Sequence, residues 1–182
     1  MGQKLEQLTN IAIIAFVLVV GGLYLKDRFH PPVQTNRLQI PEIKTGDILP
    51  SLPGYDWRSS GRTLLLALRN GCHFCEESAP FYKKLEDLKK AGNLKDIRIV
   101  AIFPDDQRVA QRMMQKEGLA LDIIPAVNFQ ALKIEGTPTA ILADQDGRVV
   151  KSWIGKLPEA QQNGLLEAIG MTHAQASLRQ IR

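Results

Sequence analysis

Thr63-Leu-Leu-Leu-Ala-Leu-Arg-Asn-Gly-Cys-His-Phe-Cys75 is the stretch on which the fold turns. Thr63 to Leu68 is a short continuous apolar run, as expected of a strand buried on both faces. Asn70-Gly71 breaks it. From Glu76 to Lys90 the spacing becomes helical, with Phe81, Leu85 and Leu88 on one face and Lys83, Lys84, Glu86, Asp87 and Lys89 mostly on the other. Gly92 is a suitable stop. A strand, a break and a helix therefore bracket Cys72-His73-Phe74-Cys75. Cys72 falls in the N-cap region, where backbone N–H groups and the helix dipole stabilise a thiolate. Cys75 lies about one turn on, within reach of Cys72 but more buried, where it would resolve a mixed disulfide. His73 either adds to thiolate stabilisation or is an exposed residue that only tunes the potential. Phe74 completes a dipeptide from which the direction of electron flow does not follow, because direction depends on the potential relative to the compartment.

A lone C-x-x-C is also half of a zinc site. Zinc needs four ligands, and the other candidates are His73 inside the motif, His30 in an N-terminal spacer and His173 in the tail. No metal site is expected. A c-type haem would need histidine directly after the second cysteine, where Glu76 stands. Two buried structural thiols are the remaining alternative, disfavoured by Gly71 and His73. The chain of 182 residues holds only these two cysteines, too few for a disulfide-stapled scaffold. Its 45% apolar and 23% charged content is that of a globular protein. The net charge of +4 is dispersed and gives no argument for a nucleic-acid partner.

Ile97 to Phe103 reads as a second strand. Asp106 is a helix N-cap for a segment ending near Gly118. Ile123 to Gln130 is ambiguous and has room for a short strand. Thr139 to Ala143 and Arg148 to Ile154 are strands joined by the hairpin signal Asp144-Gln-Asp-Gly147. Pro158 to Ile169 closes the domain as a helix. The order β-α-β-α-(β)-β-β-α predicts an α/β domain with a central mixed sheet and helices on both faces. Met113-Met114, Trp57 and Trp153 read as core or rim residues.

With these elements in place the sequence resembles the thioredoxin superfamily, and within it the membrane-anchored TlpA/ResA-like thiol–disulfide oxidoreductases. The matching features run from about Thr45 to Gly170. They are Gly46-Asp47-Ile-Leu-Pro50 as the opening segment, the apolar strand with Cys72-His-Phe-Cys75 and Pro80, Gly136-Thr-Pro-Thr139 as the cis-proline loop, and Ala140 to Gly147 as the hairpin after it. The resemblance implies a thioredoxin-like fold over residues 42–170, Cys72 and Cys75 as the catalytic pair, and no cofactor beyond their redox-active disulfide. It further implies Pro80 as the kink of the active-site helix, Pro138 as the cis-proline, and Gly136 and Thr137 as the backbone that pairs with an extended substrate segment. Three positions depart from the pattern. Gly71 replaces a tryptophan, Leu66 stands where thioredoxins carry a buried aspartate, and Ser78 stands where many TlpA/ResA-like proteins carry a glutamate. His73, Glu77 or water is then left to take the Cys75 proton.

Gln7 to Leu25 carries no charged residue over 19 positions, just enough for a spanning helix. Residues 1–28 are therefore expected to form a transmembrane anchor. A cleaved signal peptide with its apolar region at Ile11–Gly22 is the alternative. Apolar residues continuing to Leu25 favour the anchor. Residues 29–41, with Pro31-Pro32, are expected to be an extended tether, and residues 171–182 a tail bearing Arg179 and Arg182, a frayed helix more than a lipid contact. A dithiol on such an anchor suits a bacterial inner membrane, with the domain facing the periplasm or outer face. The expected partners are protein thiols or disulfides, such as apocytochromes or metallochaperones, an integral-membrane electron donor, and membrane lipid. A reductase is the leading reading. An oxidase and a non-catalytic binding or redox-sensing module are the alternatives.

Overall fold

The computed structural model describes residues 13–20, 42–94 and 96–171. Most of the expected anchor and tether, and the tail beyond Met171, lie outside these. Residues 13–20 are helical with exposed side chains. Among the described residues no helix is long and apolar enough to cross a membrane.

The domain runs β1 (Arg62–Ala67), α1 (His73–Lys90), β2 (Ile97–Ile102), α2 (Gln107–Lys116), β3 (Asp122–Ile124), β4 (Thr139–Asp144), β5 (Val149–Ile154) and α3 (Glu159–Ala168), with a 3-10 turn at Trp57–Ser59. One five-stranded sheet has the order β3-β2-β1-β4-β5. β1 pairs parallel with β2 and antiparallel with β4, and Leu66 stands opposite Ala101 on one side and Ala140 on the other. β2 and β3 are parallel, and β4 and β5 form the antiparallel hairpin. The mixed sheet follows the expected order, and the ambiguous segment supplies β3.

The expectation of helices on both faces is corrected. Leu64, Leu66 and Leu68 share one core with Ala79, Tyr82 and Leu85 of α1, Met113 and Met114 of α2, and Leu165 and Leu166 of α3. Leu65 and Ala67 point to the other face, where Ile43, Leu49 and Leu52 pack with Val127, Phe129, Leu132 and Ile134, all outside helices. The reason is topological. Both parallel crossovers step outward in the same direction, from β1 to β2 to β3, so right-handed connections place α1 and α2 on the same side. Irregular apolar segments cover the opposite face.

Arg62, at the start of β1, donates to the carbonyls of Ala168 and Ile169, capping the end of α3 where that helix has no basic residue of its own. In the β4–β5 hairpin, Gly147 has φ +74° and a Cβ there would lie 3.1 Å from the Trp57 ring. Gly147→Ala is expected to cost about 1–3 kcal/mol, from left-handed strain and contact with that ring, read as a lowered urea midpoint with unchanged slope.

Glu86 of α1 is 3% exposed. Its carboxylate accepts from Lys90, from Lys83 at 3.5 Å, and from the Ala120 backbone N–H at 3.1 Å, which ties α1 to the segment before β3. Desolvation by burial pushes its pKa up, but the bonds from Lys90 and Ala120 and the two lysine charges outweigh that and hold it below the usual value. A depressed folded pKa gives stability that is present above the unfolded value and lost as pH falls. Glu86→Gln is therefore expected to cost about 1–3 kcal/mol at pH 7. The gap to the parent should shrink in denaturant titrations below about pH 5.

Candidate active site

The site forms where β1 ends. Gly71 adopts φ +72°, which a side chain would strain, and open space surrounds it. Among the described residues, no atom beyond the neighbouring residues lies within 4 Å of where a Cβ at Gly71 would stand. The left-handed turn delivers Cys72 as the N-cap of α1, with its Sγ accepting from the Cys75 backbone N–H at 3.2 Å. The helix therefore starts at His73, three residues before the apolar periodicity becomes readable.

Cys72 and Cys75 are joined in a disulfide. Cys75 is 1% exposed, packed with Leu66 and Ala79, whereas Cys72 is only partly buried at the edge of that core. The Thr137–Pro138 peptide is cis. It brings Thr137 against the less buried sulfur: Thr137 Oγ1 donates to Cys72 Sγ at 3.3 Å, and the Thr137 carbonyl oxygen lies 3.4 Å from the same sulfur. Gly136 accepts from the Thr139 hydroxyl at 2.7 Å, which tightens the loop. The hydroxyl of Thr137 has no signal in the sequence beyond its place before Pro138.

His73 and Phe74 project outward, and Phe74 is 55% exposed. Glu77 is exposed beside His73. Its Oε1 lies 3.4 Å from His73 Nε2, and its Oε2 accepts from Lys156 at 3.2 Å. Pro80 lies within α1, which continues to Lys90. Ser78 is buried, and its hydroxyl donates to the Phe74 carbonyl at 2.7 Å. One turn on, burial pushes the Tyr82 phenol up to about 12, opposed by a hydrogen bond with Ser78. The core under the dithiol thus presents Leu66, Ser78 and Tyr82. Among the described residues the one buried carboxylate is Glu86, about three turns beyond Cys75 along α1. Among them too, no group of three or more histidine, cysteine or acidic residues is arranged to hold a metal.

The arrangement can exchange disulfides. An accessible sulfur at a helix N-terminus can form a stabilised thiolate, and a second sulfur is bonded to it.

No family model matches the chain. Over 105 residues it is 30% identical to the thiol-disulfide oxidoreductase ResA of Bacillus cereus, a match covering 54% of this chain and 57% of that protein. The chain thus spans a little over half the length of that curated relative. A Chlorobium tepidum protein assigned as the thiol:disulfide interchange protein DsbE superposes with a TM-score of 0.57 at 23% identity, over 71% of this chain and 100% of that one. The thioredoxin domain of a thiol-disulfide oxidoreductase from Bacteroides vulgatus gives 0.54 at 18%, over 70% and 98%. StoA from Bacillus subtilis gives 0.50 at 20%, over 70% and 98%. The fold is therefore thioredoxin-like, and in sequence the chain is similar to the TlpA/ResA-like group.

Proposed function

We propose that this protein is a membrane-anchored thiol–disulfide oxidoreductase that reduces protein disulfides outside the cytoplasm through Cys72 and Cys75. The observation that carries the reading is the disulfide itself: a partly exposed N-cap sulfur bonded to a buried one, with the cis-proline loop against the exposed partner. Likeness to ResA, DsbE and StoA supports it.

In the forward reaction the Cys72 thiolate attacks one sulfur of a substrate disulfide. That S–S bond breaks, and the departing substrate thiolate takes a proton. Cys75 then gives up its proton and attacks Cys72 Sγ, releasing the second substrate thiolate. Two electrons and two protons pass to the substrate, and the Cys72–Cys75 bond is remade. The Cys75 proton leaves to water or to the His73–Glu77 pair. The Thr137 backbone aligns the substrate strand, and exposed Phe74 gives it an apolar contact beside the sulfur. An integral-membrane donor would restore the dithiol, and apocytochromes or metallochaperones are suitable substrates. The anchor rests on the uncharged run from Gln7 to Leu25.

The reading is tested by measuring the reduction potential of the pair and by trapping substrates in the native host with Cys75→Ser. A potential well below that of the surrounding compartment is expected for a reductase. A strongly oxidising value would reverse the direction.

A further inference from the structure

Two acids follow the dithiol directly, and a lysine from a distant element holds each. Lys116 Nζ, in the last turn of α2, donates to Glu76 Oε1 at 2.7 Å. Lys156 Nζ, after β5, donates to Glu77 Oε2 at 3.2 Å. Of the two acids, Glu76 bears on the nucleophile more directly. It stands four residues after Cys72, and its backbone N–H donates to the Cys72 carbonyl at 3.1 Å, which places the two one turn apart at the start of α1. The helix N-terminus favours negative charge at Cys72. A bare carboxylate one turn away opposes it by repulsion. Lys116 cancels that opposition.

Building on the oxidoreductase reading above, we propose that Glu76 and Lys116 form a positioning pair that sets the redox poise of the dithiol. Together they add no net charge beside Cys72, and either partner alone drives the poise in the opposite direction to the other. Other ionisable residues close to this turn are His73 and Glu77 on α1, Lys156 after β5, Glu117 with Oε1 3.6 Å from Lys116, Asp105, which accepts from the Asn70 backbone N–H at 3.2 Å, and Arg69, whose carbonyl accepts from the Cys72 backbone N–H at 3.3 Å. All of these remain in each variant below.

The test equilibrates the full chain with glutathione at pH 8. The Cys72–Cys75 bond accepts two electrons and two protons from two glutathione thiols, giving the dithiol and glutathione disulfide. Lys116→Met leaves Glu76 unopposed. It is expected to weaken the acidity of Cys72, read from ultraviolet thiolate absorbance against pH, and to shift the equilibrium toward the protein disulfide about two- to fivefold. That corresponds to about 10–20 mV toward more negative potential. Glu76→Gln is expected to shift both readouts by a similar factor the other way. The double variant restores neutrality and should return to the parent's values. A purely structural pair would lower the denaturant midpoint in both single variants without opposite shifts in poise. Shifts of the same sign, no shift, or a double variant that does not return would each overturn the proposal. A parent whose disulfide resists even excess dithiothreitol under native conditions, a reductant strong enough for a low-potential pair, would overturn the oxidoreductase reading itself.

Discussion

Cys72→Ser is expected to reduce disulfide exchange to the uncatalysed rate, whereas Cys75→Ser should keep the first chemical step and stop the second. The asymmetry follows from burial. Cys72 is the sulfur at the helix N-cap, partly open to solvent and touched by Thr137, and Cys75 is sealed at 1% exposure. A serine hydroxyl does not ionise appreciably near neutral pH, so its replacement of Cys72 removes the nucleophile. In the Cys75→Ser variant the attacking thiolate survives, but no thiol remains to displace the bound substrate, and mixed disulfides on Cys72 should accumulate in the native host to be identified after capture. Limiting alkylation of the reduced parent should label Cys72 first and Cys75 only after unfolding. No adduct on Cys72 in Cys75→Ser, or equal labelling of the two thiols, would count against the assignment. A protein that only binds partners through this fold would retain its partner in both variants, with no covalent link to Cys72.

What the sequence makes legible here is set by range. The run Thr63–Leu68 shows its strand because both faces of β1 are buried, and Asp144 to Gly147 shows its hairpin because the turn residues are local. The C-x-x-C pair and Pro138 stand out for the same reason, since each is a short motif with its own chemistry. The start of α1 is hidden because a cysteine sulfur does the capping in place of the usual serine, threonine or aspartate, and Cys-His-Phe-Cys has no helical periodicity. The division of helices between the faces is hidden because it depends on which neighbour each strand joins. The bonds from Lys116 to Glu76 and from Lys156 to Glu77 are separated by 40 and 79 residues, and nothing in a single sequence pairs them. The absence of a carboxylate beneath the dithiol is readable at Leu66 and Ser78. That it has no substitute among the described residues is not, because the burial of Glu86 and its bond from Ala120 emerge only once the fold brings α1 and the segment before β3 together.

Leu66→Asp would put a carboxylate back at the aspartate position of thioredoxins, and it is expected to be the most destabilising single change in the core. Leu66 is fully buried in the central strand, between Ala101 and Ala140, in the cluster that holds Cys75 and Tyr82. The loss of the leucine alone costs about 2–5 kcal/mol, and Leu66→Asn measures that loss together with the cost of a neutral polar group. Aspartate adds a charge the site cannot solvate. Burial would raise its folded pKa above the unfolded value of about 3.9. A raised folded pKa for an acid means that the aspartate variant matches the asparagine variant below about pH 4 and loses stability as pH rises, at about 1.4 kcal/mol for each unit of the raised pKa. The slope is opposite in sign to that of Glu86, whose carboxylate has three donors waiting for it. Denaturant midpoints across pH 4–8 would separate the two variants. Where Leu66→Asp is unfolded at neutral pH, the comparison is made at the acid end, where it folds. A constant gap between aspartate and asparagine would show that water or a donor reaches position 66, and Cys75 beside it would then have a buried route for its proton. A gap that opens with pH marks the floor of the dithiol as dry. The resolving thiol must then exchange its proton at the exposed edge of the site.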